Sequence, residues 1–148
     1  MDNSLGEKLI EELLADPVRF AEKGRANKLL DEYFRGFPLR TLRPLLTNNN
    51  RTVQYEAVWI VSELGRQGSS LIFDIIPFLK NSDRSIRYEA LESVMVFSEG
   101  ENFGEFLHVV KSMQSDDEVI RVLAMYLVSN ANNMQLQSVI QLLGTRLL

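Results

Sequence analysis

The sequence has no cysteine and a single histidine, His108. Without thiols there is no disulfide framework, no zinc knuckle and no thiol nucleophile. One imidazole cannot build a histidine-based metal cluster. Long apolar runs are missing as well: LIFDIIPFL is broken by Asp74 and Pro77 and falls far short of the ~20 residues that span a bilayer. The first residues, MDNSLGEKLIEELL, are acidic and amphipathic, unlike a secretory signal. No glycine-rich phosphate loop, nucleophile elbow or metal-ligand spacing is found. These absences predict a soluble, cytoplasmic protein that spans no membrane and holds no cofactor or metal.

What is present is an ordinary globular composition. In 148 residues, 45% are hydrophobic and 24% charged, enough to bury a core in one domain and too apolar for wholesale disorder. The net charge of −4 is unevenly spread. Residues 1–18 are acidic, and 52–148 are acidic again. Between them lies a basic stretch with Arg19, Lys23, Arg25, Lys28, Arg35, Arg40, Arg43 and Arg51. Basic stretches invite a nucleic-acid reading, but Glu22, Asp31 and Glu32 interrupt this one. Pairing with the acidic first helix explains it better.

Self-similarity decides the fold. LRPLLTNNNRTVQYEA (42–57) aligns with IIPFLKNSDRSIRYEA (75–90) at an offset of 33: Pro44 falls on Pro77, Val53 on Ile86, Tyr55 on Tyr88, Glu56 on Glu89 and Ala57 on Ala90. VVKSMQSDDEVIRVLA (109–124) follows at an offset of 34, with Ile120, Arg121 and Ala124 in register. Three copies at this period predict a solenoid of stacked helical pairs. The first helices are expected at Leu39–Leu46, Ser70–Leu79 and Asn102–Met113, the second at Arg51–Leu64, Arg84–Phe97 and Glu118–Asn130. Asp83 suits an N-cap, and Ser115–Glu118 has capping-box spacing. Leu5–Ala15 and Ala26–Phe34 read as two further helices separated near Pro17 and Gly24, and Met134–Leu143 as a last one. No stretch shows convincing strand alternation. The fold class is therefore all-α: an α-solenoid in one domain, with capping helices over 1–38, repeats over 39–69, 70–101 and 102–132, and a C-terminal cap over 133–148.

On these residues the chain resembles the HEAT-repeat family over about 39–143. Pro44 and Pro77 match the proline common in that family's first helices. Asp83–Arg87–Ala90 and Asp117–Arg121–Ala124 match the Asp, Arg and small core residue of its second helices. The resemblance implies that the Asp and Arg form a polar ladder between neighbouring copies. The first copy carries Asn50 and Gln54 instead, losing both charges together, and the third has Lys111 in place of the proline.

The resemblance further implies that the second helices line a concave face. Opposite the core set Val53, Ala57, Ile60, Val61 and Leu64, a helical wheel places Tyr55, Trp59, Ser62 and Arg66. The equivalent positions are Tyr88, Glu92, Met95 and Glu99, then Val122, Tyr126, Ser129 and Asn133. Two readings of the aromatics stand: an exposed contact surface, or a second core packed under the N-terminal helices. In the first, Tyr55, Trp59, Tyr88, Met95 and Tyr126 are anchors. Glu92 and Glu99, with Glu56, Glu63 and Glu89 on the flank, form an acidic rim. His108 reads as a partly packed surface residue rather than a general base. Asp116, Asp117 and Glu118 read as helix-start acids.

The expected function is a non-catalytic protein-binding module. LLDEYFRGFPLRTLRPLLTNNNRTVQYEAVWIVSELG resembles small bacterial HEAT proteins that serve as immunity proteins in polymorphic toxin systems. This implies neutralisation of a cognate toxin by occlusion. An acidic groove lined with aromatics would suit a basic partner such as a nuclease. The alternatives are a HEAT-like handler of nucleic acid, of the alkylpurine DNA glycosylase type, and a homodimeric scaffold. The acid-rich second helices argue against a DNA-binding groove. The protein is expected as a monomer or homodimer.

Overall fold

The computed structural model describes residues 2–147. Met1 and Leu148, the extremes of the expected capping segments, lie outside the described residues. All regular structure among the described residues is helical, ten α-helices joined by turns and short 3-10 segments. Among them no helix is long and apolar enough to cross a membrane. The chain divides into two compact units, Met1–Leu64 and Gly65–Leu148.

The first unit holds α1 (Ser4–Ala15), α2 (Pro17–Glu22), α3 (Arg25–Phe34), α4 (Leu42–Leu46) and α5 (Arg51–Glu63). The sequence predicts only a break around Pro17, yet a short helix forms there. Pro17 sits at its first position, where a missing N–H removes no hydrogen bond. The Asp16 carboxylate accepts from the Arg19 N–H at 3.2 Å. Gly24 then takes φ 64°, a left-handed conformation that turns the chain into α3. Helix α1 packs on α2 and α3, while α2, α3 and α4 pack on α5. Leu9, Leu13, Leu29, Leu42 and Ile60 are fully buried among them.

Two details fix the link between α3 and α4. Thr41 Oγ1 donates to the Pro38 carbonyl at 2.7 Å. Its oxygen is thereby left to accept from the Tyr33 hydroxyl, also at 2.7 Å. Burial pushes the Tyr33 phenol up to about 12. The Phe37 ring, tilted against Tyr33 at 5.1 Å, lies directly over Gly6. A Cβ on Gly6 would stand 2.8 Å from three Phe37 ring atoms. Gly6→Ala is therefore expected to cost about 1–3 kcal/mol by overpacking. Urea melts of wild type and variant measure this directly.

The second unit holds α6 (Ile72–Ile75), α7 (Arg84–Phe97), α8 (Leu107–Lys111), α9 (Glu118–Ser129) and α10 (Asn133–Leu147). The second helices of the copies form close to their expected bounds. Their first helices do not run continuously. Segments Gly65–Leu71 and Ile76–Lys80 flank α6 as 3-10 turns, and Phe103–Phe106 and Ser112–Gln114 flank α8. Pro77 explains the break after α6, since it lacks the N–H that an α-turn needs and its ring would crowd the carbonyl four residues earlier. Before α8, Gly100 and Gly104 lower the helix propensity. Helix α7 is the centre of the unit and packs against α6, α8, α9 and three of the 3-10 turns.

The repeat is visible bond by bond at the helix starts. Asn50 accepts from the Thr52 and Val53 N–H groups, Asp83 from Ser85 and Asp117 from Val119. Two residues earlier, Asn48, Asn81 and Ser115 each accept from the N–H of the capping residue. The cap of α9 is thus Asp117, and Ser115 supports it from outside the helix. This corrects the capping box expected of Ser115 and Glu118. Arg87 Nη1 donates to the Asn81 carbonyl and Arg121 Nη1 to the Ser115 carbonyl, at 2.8 and 2.9 Å.

Candidate functional site

Within the second unit one Arg–Asp contact joins the starts of α7 and α9. Arg87 Nη2 donates to Asp117 Oδ2 at 2.6 Å, and Arg84 Nε donates to the same oxygen at 2.9 Å. Hydrogen bonding from Arg84 lowers the Asp117 carboxyl to about 2, helped by Arg87 and the Val119 N–H. A carboxyl depressed below its unfolded value stabilises the fold above about 3.8 and loses that contribution as pH falls toward about 2. The midpoint of acid unfolding is therefore expected to rise in Asp117→Asn, whose stability at neutral pH is lower. Circular dichroism followed through acid titration reads both.

Beside this contact, α7 and α9 form a groove of about 580 Å³ lined by Tyr88, Glu118, Val119, Val122, Leu123 and Tyr126. Residues 119, 122 and 126 recur at helical spacing and so share one face of α9. Tyr126 is 65% exposed and Val122 57% exposed, too much for a core stripe. Tyr88 forms the α7 wall. Partial burial and the neighbouring Glu92 and Glu89 carboxylates hold its phenol above the ordinary range. Glu92 and Glu118 enter no ion pair among the described residues, while Arg84 and Arg87 are engaged by Asp117. The groove is therefore apolar at its floor and acidic at its margin.

The remaining site expectations divide between the units. Tyr55 and Trp59 are half-buried on α5 of the first unit, and Glu63 is exposed on the same helix. In the second unit Tyr88, Glu89 and Glu92 lie half-buried on α7, with Tyr126 exposed on α9. Met95 is the exception. It is only 5% exposed, because Gln135 of α10 covers it and donates to its carbonyl at 3.0 Å, so it is no surface anchor. Two rim acids are corrected as well. Glu99 is neutralised by Arg66 at 2.9 Å, and Glu56 is buried at 8% exposure. Conversely, Val119 and Glu118 line the groove, although in the sequence Glu118 reads only as a helix-start acid and Val119 has no assigned role.

Burial raises the Glu56 carboxyl above its ordinary value. A carboxyl raised in the folded state penalises folding once it ionises, so the cost enters as pH climbs through the unfolded value of 4.5 and beyond. Glu56→Gln is expected to melt higher than wild type at neutral pH and equally at acidic pH. Calorimetry at the two conditions checks the sign.

Other chemistry-bearing residues are engaged locally. His108 Nε2 lies 3.0 Å from Glu105 Oε2, one turn away on the surface. Arg25 makes a bidentate contact with Glu12, at 3.0 and 3.1 Å, which ties the basic stretch to α1. No group of three or more His, Cys, Asp or Glu among the described residues could hold a metal ion. No protein-family model, curated protein or solved structure matches this chain.

Proposed function

We propose that this chain is a non-catalytic protein-binding module of the HEAT-like solenoid kind, which takes a basic partner on the face carried by α7 and α9. The observation that carries the reading is the groove, where Tyr88, Val119, Val122 and Tyr126 stand beside Glu118, with Glu92 next to Tyr88. Exposed Tyr and aliphatic residues supply desolvation energy on contact. The carboxylates accelerate encounter with an oppositely charged surface and discriminate against acidic ones. The three matching helix caps, spaced 33 and 34 residues apart, support the solenoid part of the reading.

In its most concrete form the module is an immunity protein that neutralises a cognate toxin, such as a nuclease, by covering the surface with which the toxin meets its substrate. Tyr126 and Tyr88 anchor, and Glu92 and Glu118 oppose Lys or Arg on the partner. The test is recovery of tagged protein from its own cells at moderate salt. A single stoichiometric basic protein is expected, absent when Tyr126→Glu is used as bait and inhibited in its own activity by the wild type. Recovery of the same proteins by both baits would refute the reading, as would recovery of nucleic acid alone.

A further inference from the structure

A second apolar surface of the second unit has a different chemistry. On α10, Leu136, Ile140 and Leu143 follow one another at i, i+4 and i+7, and are 39%, 66% and 50% exposed. The rotation of this helix is pinned from inside. Asn132 and Gln135 form a reciprocal cap: each side-chain oxygen accepts from the other's backbone N–H at 2.9 Å. The wholly buried Gln135 amide also donates to the Met95 carbonyl at 3.0 Å and to Ser98 Oγ at 2.9 Å. Ser138 Oγ reaches the Phe103 carbonyl at 3.2 Å. With 135 and 138 held inward, 136, 140 and 143 must face outward.

Charge says what covers them. Between Arg121 and Arg146 the sequence has no Asp, Glu, Lys or Arg, although 24% of the chain is charged. Over residues 133–145, which carry the stripe, a charged partner finds no counter-charge and an anionic lipid surface no cations. In a two-fold contact the same patch meets itself, so a patch whose charges are all of one sign repels its own copy. Copies of net charge −4 therefore approach one another best where charge is absent. The groove on α7 and α9, with its carboxylates, fails this condition; the outer face of α10 meets it. We infer that α10 is a self-association face, on which two copies pack Leu136, Ile140 and Leu143 about a two-fold axis. Three exposed side chains fall below the ~800 Å² per partner of a stable interface. The dimer is accordingly weak, with a Kd on the order of tens of micromolar.

Sedimentation velocity across about 1 to 500 μM, a range that brackets such a Kd, tests this. The mass is expected to rise from 17.0 kDa toward twice that value. Ile140→Glu and, separately, Leu143→Lys place like charges face to face and should leave a monomer throughout, with unchanged helicity. Tyr126→Glu should dimerise as wild type does, since it lies outside the contact. A mass fixed at 17.0 kDa over the whole range overturns the inference. So does a dimer that survives both α10 substitutions, or a monomer that sediments with added phosphatidylcholine vesicles, which would assign the stripe to a bilayer.

Discussion

Tyr126→Glu is expected to abolish partner capture while leaving the protein folded. Tyr126 is more exposed than Val119, Val122 and Leu123 of the groove, at 65%. Surface substitutions of this kind change stability by about 0.5 kcal/mol or less. Binding responds differently. An aromatic anchor at the centre of an interface commonly contributes 2 kcal/mol or more, which at about 1.4 kcal/mol per decade is a loss of roughly 30-fold. Glutamate adds a charge that must be desolvated against an apolar floor, so the expected loss is larger than for Tyr126→Ala. Glu118→Lys provides the electrostatic comparison. It should slow association at low salt and matter less as salt shortens the screening length toward about 10 Å at 0.1 M. Calorimetric titration and stopped-flow association with the captured partner separate the two effects.

Phe106→Ala is expected to produce the largest loss of stability among single substitutions in the second unit. Phe106 is fully buried at the end of the turn on which α10 rests. Removing the ring forfeits its transfer energy and leaves a cavity, together about 3–5 kcal/mol. Against a typical total of 5–15 kcal/mol, that is a substantial fraction of what holds the fold. Phe73 is the control, since it is 64% exposed and Phe73→Ala should melt within about 0.5 kcal/mol of wild type. Urea denaturation measures both. Hydrogen exchange adds a spatial check, because the amides of α10 should lose protection before those of α7.

The features legible in the sequence were those set by neighbours close in the chain. A cap needs an Asn or Asp at one position and a supporting side chain two residues earlier. Asn50, Asp83 and Asp117 therefore repeat with the sequence period. Tyr88 and Tyr126 were legible too, as aromatics opposite an apolar helix face. What escaped was set at long range or by ambiguous residues. Met95 occupies an outward position on the helical wheel of α7, but Gln135, forty residues on, closes over it. Glu56 and Glu89 hold the same place in the repeat, yet the first is buried and the second only half-buried. Pro17 can end one helix or begin another, and Asp16 just before it decides for a beginning. Glu118 in the groove wall was hidden because an acid at a helix start already has a reason to be there.

The most direct measurement places a photo-reactive side chain at Val122, on the floor of the groove, and irradiates cells that make their native complement of proteins. The groove reading predicts one dominant adduct with a basic protein, reduced by Glu118→Lys in the same chain. The same probe at Phe73, exposed but outside the groove, should give none. An adduct at Phe73 with none at Val122, or an adduct at Val122 with a second copy of the chain, would contradict it.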